Sequence, residues 1–279
     1  MSELTSTFFN VTIVGAVAHL EMNRPDKANG MSPDFWTDLP RLAQALNRNP
    51  NIRCVVLSGA GKHFSAGMDL ATLSGIQKLM NEEPGRVALA LRDLILRLQD
   101  SLSSLEKLRV PVIAVTHGAT LGGAIDLITA CDMVIASADT SFGIEEIHVG
   151  MTADVGTLQR LPKLIPTNVV KELAFTGRRF TAEEAKAWGL VNSIHDDQQL
   201  ALKAAMELAQ DIANKSPVAI AGIKQAVIYA RDHGVSDSLN QIATWNGGAL
   251  RPTELTTAIT AKMAKQEAVF ADLLKDANE

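Results

Sequence analysis

Two short glycine-containing loops are the segments of this sequence best suited to chemistry: Ser65-Ala66-Gly67-Met68-Asp69-Leu70 and His117-Gly118-Ala119-Thr120-Leu121-Gly122-Gly123. Each follows a β-rich run and precedes a helical one, an arrangement that aims backbone N–H groups outward. Two such groups converging on one point form an oxyanion hole, which stabilises negative charge developing on a carbonyl oxygen. Spacing alone fits plain turn chemistry before a helix as well. Asp126 adds weight to the chemical reading. It sits one helical turn after Gly123, between Ala124-Ile125 and Leu127-Ile128, and a carboxylate among such neighbours must be hydrogen-bonded, paired or catalytic. The structural alternative is a carboxylate satisfied by the helix itself, a reading that suits Asp132 at the helix end better.

Several other signatures come close and miss. His63-Phe64-Ser65-Ala66-Gly67 lacks the first glycine of a nucleophile elbow. Gly59-Ala60-Gly61-Lys62-His63-Phe64 is neither a dinucleotide fingerprint, which needs glycine at 64, nor a P-loop, which needs Ser or Thr after the lysine. The six histidines, 19, 63, 117, 148, 195 and 233, never fall at metal-ligand spacing. No metal and no separate cofactor are expected.

The elements that must position these residues alternate. Residues 8 to 22 read as a hairpin turning at Gly15-Ala16, with Asn23-Arg24-Pro25-Asp26 as its stop. Ser32 and Pro33 open a helix with apolar Phe35, Leu39, Leu42 and Leu46, which Pro40 should kink. A strand over 52–58 leads into the first loop and then a weak segment over 70–85 that could form a mobile lid. A stronger helix from Arg86 carries the stripe Val87, Leu91, Leu94, Leu98, Leu102 and Leu105. The strand Val112 to Thr116, the second loop over 117–123, a helix over 124–130 and the strand Met133 to Ala138 complete a βαβα order. That order implies a mainly parallel sheet buried on both faces. Thr181-Ala182-Glu183-Glu184 is a capping box, Gly189 a helix stop and Leu190 to Ile194 a last strand. From residue 197 only helices are expected, the last over Thr253 to Lys275.

Composition is that of a globular protein: 279 residues, 26 basic and 31 acidic for a formal net charge of −5, with 47% hydrophobic residues. An acidic chain without a Lys/Arg run offers no footprint for nucleic acid or an anionic membrane. Cys54 and Cys131 lie in apolar surroundings and suggest a reducing, cytoplasmic compartment. No export signal is read at the N-terminus, and the apolar stretch over 110–138 is interrupted by Pro111, His117, Asp126 and Asp132, which suits a buried core better than a membrane span. Two regions are expected, an α/β core over residues 1–196 carrying the site and a helical region over 197–279.

The two loops, with Val110-Pro111-Val112-Ile113-Ala114 and Leu121-Gly122-Gly123-Ala124-Ile125-Asp126-Leu127, resemble the crotonase (enoyl-CoA hydratase/isomerase) superfamily over roughly residues 10 to 275. The resemblance implies an α/β fold, a spiral of ββα units with an all-helical C-terminal trimerisation region, and a homotrimer or hexamer. It implies that Met68 and Gly123 supply the N–H groups for a thioester oxygen, and that Lys27, Ala28, Ala66, Gly67, Asp69 and Leu70 line the acyl-CoA site. Arg24 and Lys27, with Lys275, would then meet the phosphates at its mouth. CoA would be part of the substrate. Acid and base positions fall on Asp126 and Glu146, where hydratases carry two glutamates, and a third carboxylate, Asp154, stands where hydratases usually carry glycine. The run from Gly150 to Lys163 resembles the subgroup that isomerises 3,5-dienoyl-CoA to 2,4-dienoyl-CoA in fatty-acid β-oxidation. Without the resemblance, Asp154 reads as the N-cap of a helix from Val155 and Glu146 as a solvated loop residue.

Shifting two conjugated double bonds requires removing a proton α to the thioester and returning one at the far end of the diene, through a dienolate. On the implied pattern Asp154 is the base, Glu146 the remote proton donor and Asp126 a polar support near the thioester. Two alternatives stand beside it: a 2-enoyl-CoA hydratase using Asp126 and Glu146, and an acyl-CoA-binding protein without turnover.

Overall fold

The structure, a computed structural model, describes residues 4–69, 72, 74, 75 and 80–274. The expected hairpin forms from β1 (Phe9–Val14) and β2 (Val17–Met22), antiparallel about Gly15-Ala16. β2 then pairs parallel with β3 (Cys54–Gly59), β3 with β4 (Val112–Thr116), β4 with β6 (Met133–Ser137) and β6 with β9 (Ser193–His195). The last strand begins three residues later than the apolar run suggested. A second, three-stranded sheet joins β5 (Ala119–Leu121), β7 (Ser141–Gly143) and β8 (Phe180–Thr181).

The small sheet is the main correction to the sequence reading, which made 117–123 a simple loop. β4, β5 and the helix α3 (Gly123–Thr129) form one ββα turn. β6 and β7 begin the next, so that β4 and β6 are neighbours in one sheet while β5 and β7 are neighbours in the other. Ser65 extends the same pattern backwards through a parallel bridge to Thr120. This is the expected spiral, and each glycine loop lies where the chain passes between sheets.

Both faces of the large sheet are buried along its central parallel strands β3, β4 and β6, as parallel strands require, while the antiparallel edge strand β1 is largely exposed. Leu57, Val112, Ala114 and Ala136 contribute to the larger core with Phe35, Leu39, Leu42 and Leu46 of α1 (Pro33–Arg48). The other face packs Val56, Ile113, Val115 and Ile135 against Ala201, Ala205, Ala209 and Ala213 of α7 (Gln198–Ala213). Alanines four apart give that helix a flat stripe able to lie close to the strands. α1 runs unbroken through Pro40. Proline removes the N–H that would bond the Trp36 carbonyl, and Ser101 of α2 (Pro84–Glu106) supplies a hydroxyl to that carbonyl at 3.3 Å. α2 starts two residues before Arg86, with the Glu83 side chain accepting from Gly85 N and Arg86 N. Only the second half of its stripe, Leu98, Leu102 and Leu105, is fully buried.

Short helices α4 (Thr157–Arg160), α5 (Thr167–Thr176) and α6 (Ala182–Trp188) follow, α6 with the expected capping box and Gly189 stop. After α7 come α8 (Pro217–Asp232), α9 (Val235–Ala249) and α10 (Pro252–Met263). The final helix stops at Met263 instead of reaching Lys275. Lys265 takes a left-handed φ of 53°, and the tail beyond is tied down by Arg53, which donates to the Phe270 carbonyl at 2.7 Å and pairs with Asp272. No described helix is long and apolar enough to cross a membrane.

α8 is fastened to the core by one buried cation. Lys224 Nζ donates to Asp132 at 2.7 Å and to the carbonyls of Leu105 and Val110, while Asp132 also accepts from Val112 N. Asp132 is therefore structural, as its place at the helix end suggested. Lys224→Met is expected to lower stability in urea unfolding by roughly 3 kcal/mol, because Asp132 then keeps its charge without a countercharge, with only Val112 N as donor. A loss below about 1 kcal/mol would show that water reaches Asp132 and replaces the lysine.

Candidate active site

Hydrogen bonds lace the two glycine loops together. Phe64 N donates to His117 O, Ser65 N to Ala119 O, and Leu121 N back to Ser65 O. Beside them Met31 N donates to Gly67 O and Asp69 N to Met31 O, the two bonds of the Met31–Met68 bridge. In a parallel bridge of this kind the central residue's own N–H points the other way. On the second loop Gly122 N donates to Gly143 O and Ile125 N to Gly122 O, bracketing Gly123 N at the start of α3. A Cβ built on Gly123 would lie 3.7 Å from Met68 N, so the two N–H groups share one small space. Close approach depends on Gly67: with φ +85°, a side chain there would come within 2.6 Å of Leu121 O. Met68 and Gly123 are thus brought together in a geometry suited to a carbonyl oxygen.

Asp126, in the first turn of α3, is fully buried. Its Oδ1 accepts from Thr157 N at 2.5 Å, and among the described residues Oδ2 has no hydrogen-bond partner. Burial pushes its carboxyl up to about 6, against Thr157 and the Arg160 guanidinium, which favour the charged form. Glu146 opens a 3-10 turn, Glu146–Val149, with Oε2 buried and without a hydrogen-bond partner among the described residues. It is pushed up to about 7, first by burial and then by the negative charge of Asp126. A solvated loop position for Glu146 is thereby excluded. Asp154 is half-buried, raised by burial, and near enough to Asp126 and Glu146 to raise both. Nor is it a helix N-cap: α4 begins at Thr157 behind Gly156, and the Asp154 carbonyl accepts from Gln99 Nε2 at 2.6 Å. The charge of Asp154 thus reaches both Asp126 and Glu146, and that of Asp126 reaches Glu146, while among the described residues no group of three His, Cys, Asp or Glu is arranged to hold a metal ion.

Glu146 stands in the wall of an apolar cavity of about 570 Å³ lined by Ile144, Met151, Leu158, Val170 and Phe175. A larger cleft of about 680 Å³ between α10 and residues 266–269 contains none of the three carboxylates. The apolar lining of the cavity beside Glu146 suits a hydrocarbon chain.

Residues expected at the mouth are mostly adjacent. Ala66 N donates to Ala28 O at 2.9 Å, and Ala28 and Asn29 both take left-handed φ, 47° and 50°. Asn29 holds this turn from inside, bonding Arg24 N and the carbonyls of Ala60 and His63. Lys27 is exposed beside it. Arg24 does not stand free for phosphates, as the sequence suggested. Its guanidinium donates to Gly30 O and pairs with Asp69 at 2.8 Å, so the charge of Asp69 is engaged too. Leu70, Lys275 and, within the 70–85 segment, residues 71, 73 and 76–79 lie outside the described residues, so the expected lid is not described as a whole. Sequence reasoning missed Asn29, Gln99, Thr157 and Arg160. Only Thr157 carried a signal, a hydroxyl residue just after a glycine at a helix start.

Known proteins resemble this chain over most of its length. The family model described as enoyl-CoA hydratase/isomerase matches residues 12–250. The mitochondrial Delta(3,5)-Delta(2,4)-dienoyl-CoA isomerase of Rattus norvegicus is 44% identical over 253 residues, covering 90% of this chain and 77% of that protein. The peroxisomal protein of the same name from Arabidopsis thaliana is 40% identical over 260 residues, 92% and 94% of the two chains. A crystal structure of an enoyl-CoA hydratase from Bacillus anthracis superposes with a TM-score of 0.86 at 29% identity, covering 95% and 99%. The named compartments of the two isomerases are mitochondrial and peroxisomal, where the sequence pointed to a cytoplasmic one.

Because the folded chain raises Glu146 to about 7 from 4.5, folding favours its protonated form. The stability it contributes is full below about pH 4.5 and is lost as pH rises through about 7. Glu146→Gln is therefore expected to unfold in urea with an advantage on the order of 1 kcal/mol over the parent at pH 8, and with none at pH 4.5. An advantage of equal size at both values would contradict the assigned shift.

Proposed function

The chain belongs to the enoyl-CoA hydratase/isomerase family, and from that premise we propose that it converts 3,5-dienoyl-CoA to 2,4-dienoyl-CoA. The single observation that carries this reading is a third carboxylate, Asp154, whose charge acts on both Asp126 and Glu146, where hydration needs two. The names of its relatives at 40–44% identity support the same substrate class.

In this reading the thioester oxygen sits between Met68 N and Gly123 N, at the positive end of α3. Asp154 takes a proton from C2. The electron pair moves into the conjugated system, and the charge is held on the oxygen as an extended enolate conjugated with both double bonds. Glu146 then delivers its proton to C6, leaving double bonds at C2 and C4. One proton leaves the substrate and one returns, so no oxidant or separate cofactor is required. The raised value of Glu146 suits the donor, which must hold a proton near neutral pH. Asp126 acts as a polar support near the thioester, and its negative charge helps to keep that proton on Glu146. The apolar cavity receives the remote part of the chain.

Lys27, Ala28, Ala66, Gly67 and Asp69 form the proposed CoA contacts, with backbone groups and Lys27 in place of the paired Arg24. Exposed apolar residues on α8 to α10, among them Ile223, Val227, Leu239 and Ile259, fit self-association as a homotrimer or hexamer. Membership in β-oxidation and a reducing, cytoplasmic setting in which Cys54 and Cys131 stay thiols belong to the same proposal.

Ultraviolet absorbance separates this reading from its rivals. The parent protein is expected to turn a 3,5-dienoyl-CoA into a 2,4-diene, and Asp154→Asn and Glu146→Gln are each expected to lose about 10²- to 10⁴-fold in kcat. Hydration of a 2-enoyl-CoA that survives Asp154→Asn, with no diene product from the parent, would make the protein a hydratase. Binding of both ligands without spectral change would make it a carrier.

A further inference from the structure

Beyond the acyl cavity, a polar recess of about 310 Å³ enters the molecule between α2, α4 and α8 and is lined by Gln99, Ser103, Glu106, Gly156, Arg160 and Arg231. Its floor is Gly156, and a Cβ placed there would lie 4.0 Å from Asp126 Oδ1. That Cβ would also overlap the Arg160 guanidinium, while the Gly156 φ of +143° is itself one that side chains rarely adopt. Arg160 therefore occupies the space that a side chain at 156 would take.

The guanidinium is anchored from behind. Arg160 Nη2 donates to Ser103 Oγ at 2.8 Å and to Glu106 Oε2 at 3.2 Å. Glu106 is shared with Arg231, which also pairs with Asp232. In front, Arg160 N donates to Gly156 O, closing the turn whose next residue, Thr157, donates to Asp126. Residues 99, 103 and 106 fall on one face of α2 by their spacing. That face holds the whole segment, Gln99 at the Asp154 carbonyl and the other two at Arg160.

We propose that Arg160 is a positioning residue: clamped by Ser103 and Glu106, it presses the Gly156–Thr157 turn against Asp126 and keeps that carboxylate charged and oriented. Arg160 acts through Thr157 and Asp126 and has no direct part in proton transfer. The charged groups facing Asp126 are Glu146 and Asp154, which oppose its ionisation or share its field, and Arg160, which favours it. Glu106 faces Arg160 in turn, with Arg231, Asp232, Lys163 and His233 behind it. The kinetic part of the inference rests on the isomerase reading, in which the charge of Asp126 helps to hold the proton on Glu146.

The test uses full-length protein labelled with ¹³C at aspartate carboxyls, the Asp126 signal being identified by its loss in Asp126→Asn. In Arg160→Met the Asp126 titration midpoint is expected to rise by about one pH unit. The kcat for diene formation is expected to fall about tenfold with KM within about twofold, as for a misplaced catalytic group. Arg160→Lys should recover part of both. Arg160→Gln, equally uncharged, must give the same upward shift and serves if the methionine variant does not fold. A midpoint unchanged in a folded neutral variant, or a moved midpoint with the parent's kcat, overturns the proposal and leaves Arg160 a structural tie. A parent that makes no 2,4-diene defeats the isomerase reading alone, since the midpoint decides the placement of Asp126 without any turnover.

Discussion

A carboxylate without access to water is the constraint around which this molecule is arranged. Asp126 is fully buried in a short helix whose every residue is buried, and an isolated charge in such a place is untenable without compensation. The fold supplies one backbone N–H from Thr157 and the charge of the Arg160 guanidinium, and among the described residues the second oxygen has no hydrogen-bond partner. That partial compensation leaves its carboxyl raised to about 6 and still charged near neutral pH. Its charge then acts on Glu146, already disfavoured as an anion by its own burial. A pair of groups with opposed preferences for one proton is what a proton-transferring site needs at neutral pH.

The spiral of ββα units makes such an arrangement possible. Each turn of the chain leaves one sheet and enters the other through a short crossing, and the crossings at 64–69 and 117–123 are stitched to each other by backbone hydrogen bonds. Backbone N–H groups can face the substrate there because the neighbouring amides are satisfied between loops. Rigidity comes from outside as well. The Asn29 side chain spans three segments, and α2 grips the 154–160 segment from the opposite side. Stability is surrendered at the carboxylates and recovered in the doubly buried sheet, a division commonly seen at functional sites.

Local patterns in the sequence were enough for the parallel sheet, the hairpin at Gly15-Ala16, the capping box at Thr181 and the apolar stripes of α1 and α2, because each is written in residues close together in the chain. Asp126 was legible for the same reason, as a charge among Ala124, Ile125, Leu127 and Ile128. What was not legible depends on distant partners. Nothing near residue 119 announces that Ala119–Leu121 will pair with Ser141–Gly143. The last helix looked continuous because its apolar spacing runs on to Leu273, and only the grip of Arg53 on Phe270 and Asp272 explains the extended tail. Arg24 looked available until Asp69 was found beside it. Glu146 and Asp154 owed their place in the sequence reading to a family resemblance, since neither stands out by its neighbours. The charge that Arg160 directs toward Asp126 was invisible for the same physical reason: it depends on a glycine four residues away and a helix more than fifty residues earlier.

The central claim is that two carboxylates divide the proton traffic, Asp154 at C2 and Glu146 at C6. Isotope exchange in D₂O tests it most directly, with deuterium located by NMR in the recovered 3,5-dienoyl-CoA and in any 2,4-dienoyl-CoA formed. With Glu146→Gln the account predicts deuterium at C2 of unconverted substrate and almost no product, because the base still works while the donor is missing; with Asp154→Asn it predicts neither exchange nor product. Exchange at C2 that persists in Asp154→Asn and vanishes in Glu146→Gln would reverse the roles and contradict the account.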